Sequence, residues 1–344
     1  MQKQNIVKLL CLAGLLLMQP VYAKKEGALE AGMVNPGYVE QPAWFKTSFL
    51  DLNEDIAEAS ESGKRLMIYF YQDGCPYCKK LLQDNFGQRD IAEKTRENFD
   101  VVSLNIWGDR DVSLGEVTTT EKDFAERLKV MYTPTLIFFN EEGKPVLRAN
   151  GYYPPQKFDA ALDYVLQHKD KTQSFREYLA GAGARQTEGK LHTDVATMQS
   201  PYDFSKSSDN HRLVMFEQKQ CKECDELHLD ILQRDESKQQ LKKFDVAVLD
   251  MWSEDKLIRP DGQKVAVKDW ARDLNIQYAP SLVYFDPQGN EVFRSDGYLR
   301  AFHVQSIMDY VSSGAYKEQP NFQRYIDNRA HDLREQGIEV DLMN

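Results

Sequence analysis

Four cysteines stand at one repeated spacing, Cys75-Pro76-Tyr77-Cys78 and Cys221-Lys222-Glu223-Cys224. Cysteines three apart at the start of a helix bring two sulfurs into disulfide range, and only the first faces solvent beyond the helix end. Unpaired backbone N–H groups and the positive end of the helix dipole lower the pKa of that first thiol. As a thiolate it attacks a partner's disulfide, and the second cysteine resolves the mixed disulfide. Cys75 and Cys221 are therefore the expected nucleophiles, and Cys78 and Cys224 the resolving thiols. A static bridge is the alternative, but structural disulfides usually close longer loops. The second pair is the closer case: Glu223, Asp225 and Glu226 oppose a thiolate there, while Lys219 and Lys222 favour one.

Metal chemistry is the competing class. Cys221, Cys224 and His228 share one helix face by spacing. A closed zinc site wants four ligands, and no fourth stands nearby. Leu82 occupies the position of His228 in the first motif's helix, so His228 reads as a surface or half-buried residue. No metal site and no cofactor are expected.

The elements that must position the sulfurs occur twice. A shift of 146 residues carries Phe70, Cys75, Cys78, Pro134, Gly151 and Tyr164 onto Phe216, Cys221, Cys224, Pro280, Gly297 and Tyr310. Tyr132, Arg148 and Tyr152 recur as Tyr278, Arg294 and Tyr298, and Trp107 recurs one residue early as Trp252. The chain is a tandem repeat. Leu66–Tyr71 is a short apolar run closed by Asp73-Gly74, which predicts a buried strand. The cysteines then open a helix, Asp100–Ile106 is the next strand, and Glu121–Val130 is a helix. Thr135–Asn140 and Val146–Arg148 flank Glu141-Glu142-Gly143 as a hairpin, and Phe158–Gln167 closes the unit as a helix. Such an order predicts a sheet with helices on both faces. Asn53–Ser62 adds a helix in front of the first repeat only. Longer segments follow each tryptophan, Gly108–Thr120 and Ser253–Val267, with the Asp261-Gly262 turn suggesting a small hairpin.

Lys3, Lys8, an apolar run from Leu9 to Met18 and Pro20-Val21-Tyr22-Ala23 fit a secretory leader over residues 1–23. Its apolar run is shorter than the ~20 residues a membrane span needs, so no stable span is expected once it is removed. Cys11 leaves with it, and export places the two pairs where disulfides persist. The 344 residues, 42% apolar and 28% charged, are ordinary globular composition for two domains. A net charge of −11 without a basic block argues against a nucleic-acid partner.

A Cys-x-x-Cys between first strand and first helix, with x-Pro entering a strand 56 residues after the second cysteine, stands in both repeats. Both resemble thioredoxin-fold domains, in particular periplasmic thioredoxin-related proteins of the SoxW type associated with bacterial sulfur oxidation. Gly74–Lys80, Ile106–Arg110, Tyr132–Thr135 and Gly151-Tyr152 carry the resemblance, which spans residues 49–167 and, less closely, 213–311. It implies an α/β fold of two tandem thioredoxin-like domains, each a central mixed sheet with helices on both faces. The expected division is leader 1–23, domain 24–180, linker 181–210, domain 211–316 and a helical tail 317–344. A cis bond is expected before Pro134 and Pro280, bringing a backbone edge beside the sulfurs. Thr133, Pro134, Ala279 and Pro280 would then bind a substrate segment, with Tyr77 exposed between the cysteines. Trp107 and Trp252 are expected to close core edges. The implied activity is thiol–disulfide exchange with periplasmic protein thiols and disulfides, with electrons supplied by a DsbD-like membrane carrier. Tyr69 and Met215 stand where thioredoxins keep a buried aspartate, so that aid to the resolving thiol is missing in both repeats. Two alternatives stay open: the second repeat as a client- or metal-binding module beside a catalytic first, and an interaction protein whose cysteines are bridges.

Overall fold

The computed structural model describes residues 38–182, 190–296, 299–338 and 340. The expected leader, residues 1–23, lies outside them, as does Tyr298.

The first half begins with helix α1 (Leu52–Glu61), whose N-cap Asp51 accepts the N–H groups of Asn53 and Glu54. Strand β1 (Arg65–Tyr71) is buried along nearly its whole length because both of its faces are covered. Met67 and Tyr69 pack on one side with the cysteine segment and the closing helix. Leu66, Ile68 and Phe70 pack on the other with α1 and helix α4 (Glu121–Arg127). Strand β2 (Phe99–Asn105) runs parallel to β1, while β5 (Thr135–Phe139) runs antiparallel to β1 and to β6 (Pro145–Asn150). The sheet order is β2-β1-β5-β6. Helix α5 (Pro155–Leu166) covers the cysteine face, and α6 (Phe175–Ala182) follows.

The cysteine helix differs from the single segment the spacing predicts. It is a short helix α2 (Pro76–Lys80) that continues as a π-turn (Leu81–Asn85) before a separate helix α3 (Arg89–Asn98). The break has local causes. Asn85 is buried and its amide donates to the Tyr153 carbonyl at 3.0 Å. Residue 87 must be glycine, since a Cβ there would collide with the Gln83 carbonyl.

The segment after Trp107 forms a hairpin, β3 (Asp111–Leu114) with β4 (Val117–Thr120), like the one the Asp261-Gly262 turn predicts after Trp252. The second half repeats the plan: β7 (His211–Glu217), α7 (Lys222–Leu229), α8 (Asp235–Leu241) and β8 (Phe244–Asp250) come first. The hairpin β9 (Lys256–Ile258) and β10 (Lys264–Ala266) leads to α9 (Val267–Asp273), β11 (Ser281–Phe285) and β12 (Glu291–Ser295). Its sheet order is β12-β11-β7-β8, again with one parallel and two antiparallel pairs. Helix α10 (Ala301–Ser312) closes the unit, followed by α11 (Ala315–Glu318) and α12 (Phe322–Glu335). The fold is thus the mixed α/β arrangement expected, twice over. No described helix is long and apolar enough to cross a membrane.

Candidate functional site

Each cysteine pair sits where a central strand hands over to a helix. Cys75 is the N-cap of α2 and Cys221 the N-cap of α7, and in both the first sulfur accepts the N–H of the second cysteine, at 3.0 and 3.1 Å. Pro76 fits the first helical position, where a missing N–H costs nothing. Both pairs are disulfide-bonded, with Cα–Cα separations of 5.2 and 5.1 Å.

The proline segments arrive alongside, as expected. The Thr133–Pro134 and Ala279–Pro280 bonds are both cis. Cys75 Sγ lies 3.4 Å from the Thr133 carbonyl oxygen, and Cys221 Sγ lies 3.6 Å from that of Ala279. One difference separates the two. The Thr133 hydroxyl donates to Cys75 Sγ at 3.2 Å, and alanine at 279 offers no such group. The structure therefore brings Cys75, Cys78, Thr133 and Pro134 together at one site and Cys221, Cys224, Ala279 and Pro280 at another.

Exposure departs from expectation. Cys75 and Cys221 were expected to face solvent, and Tyr77 to be exposed between its cysteines; they are 3%, 5% and 3% exposed. For Tyr77 the cause is the other half of the chain. The Tyr77 ring meets His303 edge-on at 4.8 Å, and its oxygen accepts the Arg300 N–H at 2.9 Å. Tyr132, just before the first proline, is buried in the core of the second half, where its oxygen accepts the Asp296 N–H at 3.2 Å. Its counterpart Tyr278 is buried in the core of the first half, 5.5 Å from the Tyr153 ring. Equivalent residues thus make reciprocal contacts.

The reciprocity extends outward. Lys157 stands at the position equivalent to His303 and Glu223 at that equivalent to Tyr77, and the Glu223 charge acts on Lys157. Lys157 Nζ sits 3.4 Å from the centroid of the Tyr278 ring. Burial lowers the Lys157 pKa to about 8, against an upward pull from Glu223. Burial alone lowers His303 to about 4. Trp107 and Trp252 donate their indole N–H groups to Gln72 and Gln218, at 2.8 and 3.2 Å. Each ring is then covered from the opposite half, by Arg324 at 5.2 Å and Arg176 at 4.7 Å. They are half-buried between the halves rather than simple core edges.

The acids around the second pair are not free charges. Asp225 is bonded to His192 at 2.7 Å, and Glu226 to Arg300. His228, expected at the surface or half-buried, is fully buried between Glu217 and Asp194. Burial pushes its pKa down, but the two carboxylates outweigh that and raise it. A signal for this pair existed in the sequence. Glu217 and His228 replace Tyr71 and Leu82, two polar changes at positions that are apolar or aromatic in the first repeat.

Comparison with known proteins agrees with this geometry. The sequence profile described as a thioredoxin-like domain matches residues 52–166 and again residues 203–312. A thiol:disulfide interchange protein DsbD from Pseudoalteromonas atlantica is 26% identical over 118 residues, which is 34% of this chain and 18% of that protein. A protein disulfide-isomerase from Hordeum vulgare is 27% identical over 110 residues, 32% of this chain and 18% of that protein. Among solved structures, a thioredoxin-fold protein from Helicobacter pylori overlays with a TM-score of 0.32 at 23% identity, covering 35% of this chain and 80% of that one. The match thus spans less than a fifth of the length of these two curated relatives, 18% of each.

Proposed function

Since the chain belongs to the thioredoxin-like domain family, matched over residues 52–166 and 203–312, we propose that it is a thiol–disulfide oxidoreductase acting on protein partners. Cys75 and Cys78 form its main centre, and Cys221 and Cys224 a second one. The observation that carries this is the set of groups around Cys75 Sγ. It caps a helix, accepts the Cys78 N–H and the Thr133 hydroxyl, and lies 3.4 Å from the carbonyl edge before Pro134. Those donors stabilise a thiolate.

In the reduced form the Cys75 thiolate attacks one sulfur of a partner's disulfide. That S–S bond breaks, and the partner's other sulfur leaves as a thiolate and takes up a proton. Cys78, deprotonated, then attacks Cys75 Sγ, closing Cys75–Cys78 and releasing the partner's second thiol. Two electrons pass from the chain to the partner; the reverse sequence oxidises a dithiol. Thr133, Pro134, Ala279 and Pro280 provide edges along which an extended partner segment pairs. Tyr77 acts there only when the halves part.

We place this exchange in the periplasm, with a DsbD-like membrane carrier as electron source. The leader-like residues 1–23, the resemblance to SoxW-type proteins and the DsbD relatives support that setting. Replacing Cys78 by serine and offering a disulfide-bearing protein tests the assignment. A mixed disulfide through Cys75 is expected, lost when Cys75 is also replaced. Adducts through Cys78 in a Cys75→Ser chain, with none through Cys75, would overturn it.

A further inference from the structure

The buried histidine of the second half points to chemistry that thiol exchange does not use. His228 lies one helical turn beyond Cys224, fully buried. Its Nδ1 is 2.8 Å from Asp194 Oδ1, and its Nε2 is 2.8 Å from Glu217 Oε1. Glu217 is also fully buried, and its second oxygen has no hydrogen-bond partner. His192 stacks on His228 with ring centroids 4.7 Å apart, and its Nε2 is held by Asp225 at 2.7 Å. One ligating atom from each of His192, Asp194 and His228 falls within 4.8 Å of the other two.

We propose that His192, Asp194 and His228 form a binding site for a divalent first-row metal ion, with zinc the ion the donors fit. Two imidazoles and one carboxylate, with a fourth position for water, suit tetrahedral zinc. The outer contacts carry the argument further than the three ligands do. With His228 Nδ1 turned to the ion, its Nε2 stays on Glu217, which orients the ring and raises its basicity, while Asp225 now holds Nε2 of the more exposed His192. Asp194 Oδ2 is in turn held by the Gln233 amide at 2.9 Å. A divalent cation would also offset the three carboxylates gathered here, Asp194, Glu217 and Asp225. The rings now lie 14° from parallel, so sharing one ion requires the half-exposed His192 ring to turn while buried His228 stays fixed.

The site joins two parts of the chain. His192 and Asp194 belong to the segment leading into the second half, whose Leu191, Val195 and Ala196 pack on that half's core. A bound ion would clamp this segment to α7, the helix that carries Cys221 and Cys224. The first half has no counterpart, since Leu82 stands in place of His228.

Zinc titration of the full chain with both disulfides closed tests this, because bridged cysteines cannot ligate. His331→Ala is introduced throughout to remove the exposed cluster of His331, Asp332 and Glu335. One zinc per chain is expected, with affinity falling at least about 100-fold in His192→Ala and in Asp194→Asn, and about 10- to 100-fold in Glu217→Gln. His228→Ala strips a buried carboxylate of its partner and can cost folding, so the two more exposed positions decide. No zinc bound by the oxidised chain, or binding unchanged in both His192→Ala and Asp194→Asn, overturns the proposal. Either result leaves disulfide exchange at Cys75 untouched.

Discussion

At Cys75 the sulfur receives two donors, the Cys78 N–H and the Thr133 hydroxyl, whereas among the described residues Cys221 receives the Cys224 N–H alone. Cys75 is therefore expected to be the more acidic thiol. Charge alone suggests the same order, from Glu223, Asp225 and Glu226 around the second pair. Those acids face Lys157, His192 and Arg300, however, so their field at the sulfur is reduced and the hydroxyl carries more of the difference. Thr133→Ala should raise the Cys75 pKa by about one unit, the worth of one hydrogen bond to a charged group. Ala279→Thr should lower that of Cys221. Alkylation rates across pH on reduced chains with a single reactive cysteine check both, and equal rates in Thr133→Ala and wild type would remove the hydroxyl from the explanation. The cysteine pairs and the x-Pro segments were legible from type and spacing, whereas the bond from the Thr133 hydroxyl to Cys75 was not, because it depends on how the proline segment packs. Nor was the burial of Tyr77, because it comes from Arg300 and His303, more than 220 positions away in the sequence.

The elements are held in register by contacts that local patterning shows only in part. The apolar run of β1 and the turn Glu141-Glu142-Gly143 were readable, since apolar runs and turn residues act over a few positions. The π-turn after α2 was not, because a tertiary bond from Asn85 to Tyr153 fixes it. Arg65, at the start of β1, shows how the first half is tied together. It forms a two-pronged pair with Glu141 in the hairpin turn, at 2.9 and 3.2 Å, and reaches Asp170 at 3.1 Å and the Val165 carbonyl at 2.8 Å. The bond to Arg65 holds the Glu141 carboxyl down at about 2, against a smaller upward push from burial. A carboxyl whose folded pKa is depressed stabilises the fold above its unfolded value near 4.5 and loses that contribution as pH falls through about 2. Glu141→Gln should therefore lower the denaturant midpoint at pH 7, with the gap from wild type closing between about pH 4.5 and pH 2. A gap that stays constant over this range would show that the pair contributes nothing through its charge. Because Glu141 stands partly in water, the effect is expected to be modest.

Across the whole molecule the repeat was evident, but the packing of one copy on the other was not. Each half presents its cysteine turn and proline segment to the other, with Tyr132 and Tyr278 exchanged between cores. On the proposed function a protein partner would need the same surfaces, so exchange with large substrates would require the halves to separate. Tyr132→Ala together with Tyr278→Ala should cost several kcal/mol of stability, on the order of 3–5 for each buried ring by analogy with other aromatics, and should speed alkylation of reduced Cys75. Unchanged alkylation would mean that the closed packing does not limit access. Lys157 adds a pH dependence of the same sign as that of Glu141, in the alkaline range. Its folded pKa of about 8 lies below its ordinary 10.5, so closure should gain stability as pH rises from about 8 towards 10.5, and Lys157→Met should abolish that gain. Whether Cys75–Cys78 is an exchange centre or a static bridge is decided by its reduction potential. Equilibrating the folded, oxidised chain with graded thiol–disulfide buffers and counting alkylated Cys75 should give reversible opening between about −120 and −270 mV, where exchange proteins lie. A pair that stays closed in the folded chain below about −300 mV would be a structural bridge, and would contradict the proposed exchange.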